Sequence, residues 1–112
     1  MLATLLLGAA IVGIVAAFWE DLLDFLNKGL KKVRKIVNGT VEGLKVFVQK
    51  LRDGVKEIAK YYSRVGQKWE ETTVTRTVSE NDVPEEIRNK KSYKKNKETE
   101  VTKELEMTLA NT

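Results

Sequence analysis

The sequence predicts a mainly α protein: an N-terminal transmembrane helix continuing into an amphipathic, heptad-patterned helix, then a small β-prone or partly disordered tail. Three observations predict it. Residues 1–19 carry no charged side chain. From Leu30 to Trp69, apolar residues recur at alternating spacings of three and four. Beyond Trp69 the chain turns polar, and β-branched residues alternate. The division is accordingly 1–19 (span), 20–69 (basic amphipathic stalk) and 70–112 (polar tail).

As a helix, residues 1–19 are about 28 Å long at about 1.5 Å per residue. The hydrocarbon core of a bilayer is about 30 Å thick. Phe18 and Trp19 close the run, directly before Glu20 and Asp21. Aromatic rings favour the lipid–water boundary, so Trp19 is expected there. Lys28, Lys31, Lys32, Arg34 and Lys35 follow within the window where positive charge sets orientation. They are expected at the membrane interface, with the amino terminus outside and the carboxyl terminus cytoplasmic. Ala9, Gly13 and Ala17 form a small-residue stripe at a spacing of four, which suits close helix–helix approach in lipid. Two other readings of the run are a cleaved signal peptide and the core helix of a soluble oligomer. The first lacks a basic n-region and a small-residue cleavage site.

The stalk holds twelve Lys/Arg against six Asp/Glu, so the chain's basic charge is concentrated there. Leu30, Val37, Leu44, Leu51 and Ile58 recur every seven residues. Val41, Val48, Val55, Tyr62 and Trp69 follow four residues after members of that set. Alternating three and four is the mark of a helix burying a seam, as in a coiled coil. Leu44, Leu51 and Ile58 are expected to carry self-association. The opposite face is basic, fit either for solvent or for anionic headgroups. Asn38-Gly39 is a turn dipeptide and permits a helical hairpin instead of one continuous helix.

In the tail, Thr72 to Val78 alternate like a strand. Pro84, Glu85 and Glu86 supply helix-start chemistry ahead of Ile87. Val101, Leu105, Met107 and Leu109 suit a strand or a helix equally. So few large apolar residues cannot by themselves offset the ordering entropy of the tail. It is therefore expected to be partly disordered, or ordered against other copies or a partner. Thr-rich alternating strands with open edges suit edge-to-edge pairing.

The chain has no Cys and no His, which removes disulfides, thiolate nucleophiles and nearly all zinc sites. It has no Gly-rich phosphate loop and no nucleophile elbow. No catalytic residue, metal or cofactor is expected, and enzymatic activity is not expected. Lys90, Lys91, Lys94, Lys95 and Lys97 surround Tyr93. One aromatic among lysines reads as a solvated loop, and nucleic acid is not an expected partner. The function expected is that of a single-pass membrane scaffold or adaptor. It would self-associate through helices and present the tail to a protein partner. Alternatives are a membrane-permeabilising, toxin-like protein and a soluble helical assembly with the apolar helix in a shared core. Expected partners are other copies of the chain and the lipid bilayer, including its anionic headgroups.

Overall fold

A computed structural model describes residues 17–37 and 40–110. One long helix, α1 (Ala17–Ile36), leads into three long strands: β1 (Thr40–Leu51), β2 (Gly54–Val65) and β3 (Lys68–Val78). A 3-10 turn (Glu80–Asp82) follows, then α2 (Glu85–Arg88), α3 (Lys91–Lys94), β4 (Thr99–Glu100) and α4 (Thr102–Ala110). The strands form one antiparallel sheet in the order β3-β2-β1-β4.

The mainly α, heptad-patterned architecture is thus overturned. Of the stretch read as a stalk, residues 20–36 belong to α1 and residues 40–69 to a β-meander, and among the described residues it contains no coiled coil. The physical reason lies in its turns. Gly54 follows the two-residue turn Arg52-Asp53 with a φ of +155°, a backbone conformation that a helix interior excludes. Leu51 pairs with Gly54 across a two-residue turn, and Val65 pairs with Lys68 across Gly66-Gln67. Strand plus turn spans fourteen residues, since the strands start at Thr40, Gly54 and Lys68. Fourteen is twice seven, so the meander imitates heptads.

The imitation fails on facing. Side chains alternate across a strand, so positions seven apart point to opposite faces. Leu44, Val46 and Val48 of β1 are buried together with Val55, Ala59 and Tyr61 of β2 in one core. Leu51 falls on the other face, half-buried at the hairpin end. Ile58 is buried beside its cross-strand partner Phe47, also on that other face. Leu30 lies on α1, and Val37 follows it with its N–H donated to Val33 O. The five residues assigned to one seam therefore occupy a helix and two faces of a sheet.

The membrane topology is corrected as well. Among the described residues, no helix is long and apolar enough to cross a membrane. Ala17–Trp19 form the first turn of α1, and Phe18 and Trp19 are buried against the sheet instead of sitting at a lipid boundary. The single-pass assignment, with the amino terminus outside and the carboxyl terminus cytoplasmic, therefore does not stand. Ala9 and Gly13 lie outside the described residues, as do Asn38 and Gly39. Ala17 is exposed.

Helix α1 is amphipathic. Phe18, Leu22, Phe25, Leu26, Gly29, Leu30 and Val33 line one side at spacings of three and four. Lys28, Lys31, Lys32, Arg34 and Lys35 are exposed on the other. Glu20 in the first turn and Arg34 and Lys35 in the last complement the helix dipole. Gly29 lets β2 approach closely. The Tyr61 hydroxyl donates to Leu26 O at 2.5 Å, and a Cβ on Gly29 would collide with that hydroxyl. Gly29→Ala is therefore expected to destabilise by about 1–2 kcal/mol, although alanine is the better helix former by about 1 kcal/mol. Adding Tyr61→Phe should recover part of that loss in thermal melts. If Gly29→Ala raises the melting temperature, the close approach is absent.

The tail does not stand alone, which corrects the expectation of partial disorder for its described part. Val83, Ile87, Tyr93, Val101 and Leu105 bury into the same core as α1 and the sheet. Tyr93 donates its hydroxyl to Glu80 at 2.5 Å, and Lys50 lies 3.7 Å from the same carboxylate. The Tyr93 bond lowers the Glu80 pKa, and Lys50 adds to that effect. Few apolar residues suffice here because the other side of their core is supplied by residues 18–78.

Candidate functional site

The two edges of the sheet are treated differently. On the β1 side, Phe47 and Val48 pair with β4. Val101 then donates its N–H to Val46 O, and the Thr102 hydroxyl accepts from Val46 N, both at 2.9 Å. On the other side β3 is terminal, and among the described residues nothing pairs with its outer edge. Free edges are usually short, kinked by a bulge, or protected by proline and inward-pointing charge. β3 has eleven residues, no proline and unbroken pairing with β2, and its inward-pointing charge, Arg76, is bound to Glu57 within the same sheet. At about 3.3 Å per residue it presents about 36 Å of unpaired backbone.

β3 is held rigidly by its inner face. Glu57 is 1 % exposed and receives the Arg76 Nε donor at 2.5 Å. Arg76 also donates through Nη2 to Asp21 O at 2.8 Å and lies 4.8 Å over the Phe25 ring. One guanidinium therefore ties together β2, β3 and α1. Burial pushes the Glu57 pKa up, and Arg76 opposes that push. A cleft of about 140 Å³ opens beside the pair, lined by Phe18, Asp21, Glu57, Arg76, Val78 and Ser79. Ligand pockets usually measure about 300–1,000 Å³. Since Arg76 is already engaged by Glu57 and Asp21, the cleft's charges serve the fold.

The residues expected to mediate helix association do not converge. Leu30, Val37 and Leu44 are core residues, and Leu51 and Ile58 lie across the sheet from them. The lysines expected at a membrane interface, with Arg34, form the solvent side of α1, where Lys28 pairs with Asp24 at 2.9 Å. Tyr93, central to the Lys90–Lys97 cluster, is buried. Burial raises the pKa of its phenol, and Glu80 adds to the effect. It is therefore not available for stacking.

Sequence reasoning noticed Thr72–Val78 but missed the full β3 edge and its Arg76 anchor. The signal was present in Gly66-Gln67 as a turn and in the alternation on both sides of it. It missed Glu57 entirely, because a carboxylate between Lys56 and Ile58 carries no mark of burial in the sequence. Among the described residues, no group of three or more acidic side chains could hold a metal ion. No protein-family model matches this chain, and no curated protein or solved structure matches it.

Proposed function

We propose that this protein is an assembly module that pairs with a second copy of itself through the free edge of β3. The observation that carries this reading is the eleven-residue edge strand, fully paired on one side and open on the other among the described residues. Backbone N–H and C=O groups along such an edge are satisfied by another strand.

The charges on β3 select a register. In an antiparallel pair about a two-fold axis at Thr73, Glu70 of one copy stands opposite Arg76 of the other, twice, and shares the part-exposed guanidinium with Glu57 and Asp21 O. Thr72 then faces Val74, and Trp69 faces Thr77. Moving the axis to Thr72 opposes Lys68 to Arg76, and moving it to Glu71 opposes Glu71 to itself. Both alternatives put like charges across the strands, which is destabilising. The favoured register keeps the two inner faces on one side and joins the two sheets into one.

Sedimentation velocity across a concentration series tests the proposal. The native chain is expected to show a monomer–dimer equilibrium. Thr73→Lys with Thr75→Lys, both at exposed positions, should leave the circular dichroism unchanged and abolish the dimer. Glu70→Lys should weaken dimerisation about tenfold by replacing an attractive pair with a repulsive one. A native chain monomeric at about 100 μM, weaker than the nM–μM range of specific association, overturns the proposal. So does a dimer indifferent to all three substitutions.

A further inference from the structure

We infer that the open face of the sheet, opposite α1, binds single-stranded nucleic acid. This face is built from the alternate residues of the strands. Phe47 stands on β1, Tyr62 on β2 and Trp69 on β3. Tyr62 pairs with Glu71, and Arg64 with Trp69, so Tyr62 and Trp69 are diagonal neighbours. Phe47 lies two rungs further on, opposite Ile58. The three rings thus run across all three long strands. Trp69 is 56 % exposed and Phe47 and Tyr62 are half-buried.

Each ring has its own cation. Lys60 Nζ lies 4.8 Å from the centre of Phe47, Lys45 Nζ 5.9 Å from Tyr62, and the Arg64 guanidinium 5.4 Å from Trp69. Lys56 continues the row along β2. Lys45 and Lys60 are direct cross-strand partners. Glu98, 3.6 Å from Lys60, offsets part of that like-charge opposition, and among the described residues Lys45 makes no ion pair. Three acids share the face with these cations. Glu71 is beside Tyr62 on β3, Glu98 contacts Lys60 at 3.6 Å, and Glu100 pairs opposite Phe47. Exposed Thr73, Thr75 and Thr77 line the β3 side with hydroxyl groups.

This combination distinguishes nucleic acid from a second protein sheet. An apolar protein face would have to desolvate Lys45, Lys56 and Arg64 without neutralising them. A phosphate backbone neutralises them, and its unpaired bases have faces to stack on exposed rings. Stacking tolerates any base, so the expected binding has little sequence preference and strong salt dependence. Among the described residues, the buried apolar side chains of the helices belong to the core on the opposite side of the sheet. The inference is independent of pairing through the β3 edge.

The probe is a fluorescein-labelled twelve-nucleotide oligothymidylate, followed by anisotropy and by quenching of tryptophan emission. Trp19 is buried, so quenching reports Trp69. The native chain should bind with quenching. Trp69→Ala should weaken binding about tenfold at unchanged circular dichroism. Lys45→Gln with Lys60→Gln should flatten the log affinity–log salt slope by about 1.4, two phosphate contacts at about 0.7 each for a single strand. Absence of an anisotropy change at low salt overturns the inference. Binding that Trp69→Ala leaves intact also overturns it, since charge alone would then account for it. If Trp69→Ala alters sedimentation while the oligonucleotide fails to bind, the face is a protein contact and the inference falls.

Discussion

Leu44→Asp is expected to abolish folding, whereas Leu51→Asp, seven residues further on, is expected to cost less than about 1 kcal/mol. Leu44 is 2 % exposed and sits on β1 against Tyr61 of β2, beneath α1. A carboxylate there loses the leucine's burial and must either remain charged without a partner or take up a proton. Either outcome costs several kcal/mol, a large share of the roughly 5–15 kcal/mol that holds a domain together. Leu51 ends β1 beside the Arg52-Asp53 turn, half-buried on the opposite face, where an aspartate side chain reaches water. Urea unfolding followed by circular dichroism separates the two variants. Equal losses at both positions would restore a common helical seam, because a seven-residue spacing is equivalent only on a helix.

The second large effect concerns the Glu57–Arg76 pair. Arg76→Ala is expected to destabilise by about 3 kcal/mol near neutral pH, since it leaves a buried carboxylate without its partner. The figure sits at the low end for a broken buried pair because the Arg76 side chain is 32 % exposed. Three contacts vanish together: the bond to Glu57, the bond to Asp21 O and the stacking over Phe25. The pH dependence identifies the cause. Burial raises the folded-state pKa of Glu57 above its unfolded value, and losing Arg76 raises it further. A group with a raised folded pKa favours the folded state at low pH, and that contribution is lost as pH rises through the folded pKa. The gap between native and variant should therefore be small near about pH 4 and full near about pH 8. A gap independent of pH would mean that Arg76 acts only through Asp21 and Phe25. Replacing both partners, Glu57→Leu with Arg76→Met, should recover most of the stability.

Parts of the fold were legible in the residues themselves. The apolar spacing of α1 over Leu22, Leu26, Leu30 and Val33, its acidic start and its basic end are all local features. Thr72 to Val78 read as a strand because every residue there except Arg76 is β-branched. Pro84-Glu85-Glu86 marks the start of the short α2 for equally local reasons. The meander was harder. A repeat of fourteen residues has the same arithmetic as two heptads, and Leu44, Val46 and Val48 satisfy a strand period that the longer pattern obscures. Arg52-Asp53, followed by Gly54 at positive φ, marks the break, because a tight turn at that point cannot lie inside a helix burying a seam.

The recognition surfaces were less legible than the elements. Nothing in a sequence brings Phe47, Tyr62 and Trp69 together, since they are fifteen and seven residues apart and meet only when three strands are in register. The same holds for Lys45 and Lys60, whose opposition is a property of the first hairpin. The open edge of β3 depends on which strand comes last in the sheet, and that order is set by packing against α1 and the tail.

The sequence by itself determined the strand character of Thr72–Val78, the helix start at Pro84-Glu85-Glu86, the absence of Cys and His, and the concentration of positive charge between residues 20 and 69. Those properties are carried by neighbouring residues and by composition. Only the tertiary structure decided that Phe18 and Trp19 face a sheet, that Glu57 is buried with Arg76, and that one edge and one face of the sheet remain open among the described residues. Each of these requires a partner far away in the chain, and burial of apolar surface is indifferent to whether that partner is lipid, a second helix or the chain's own strands.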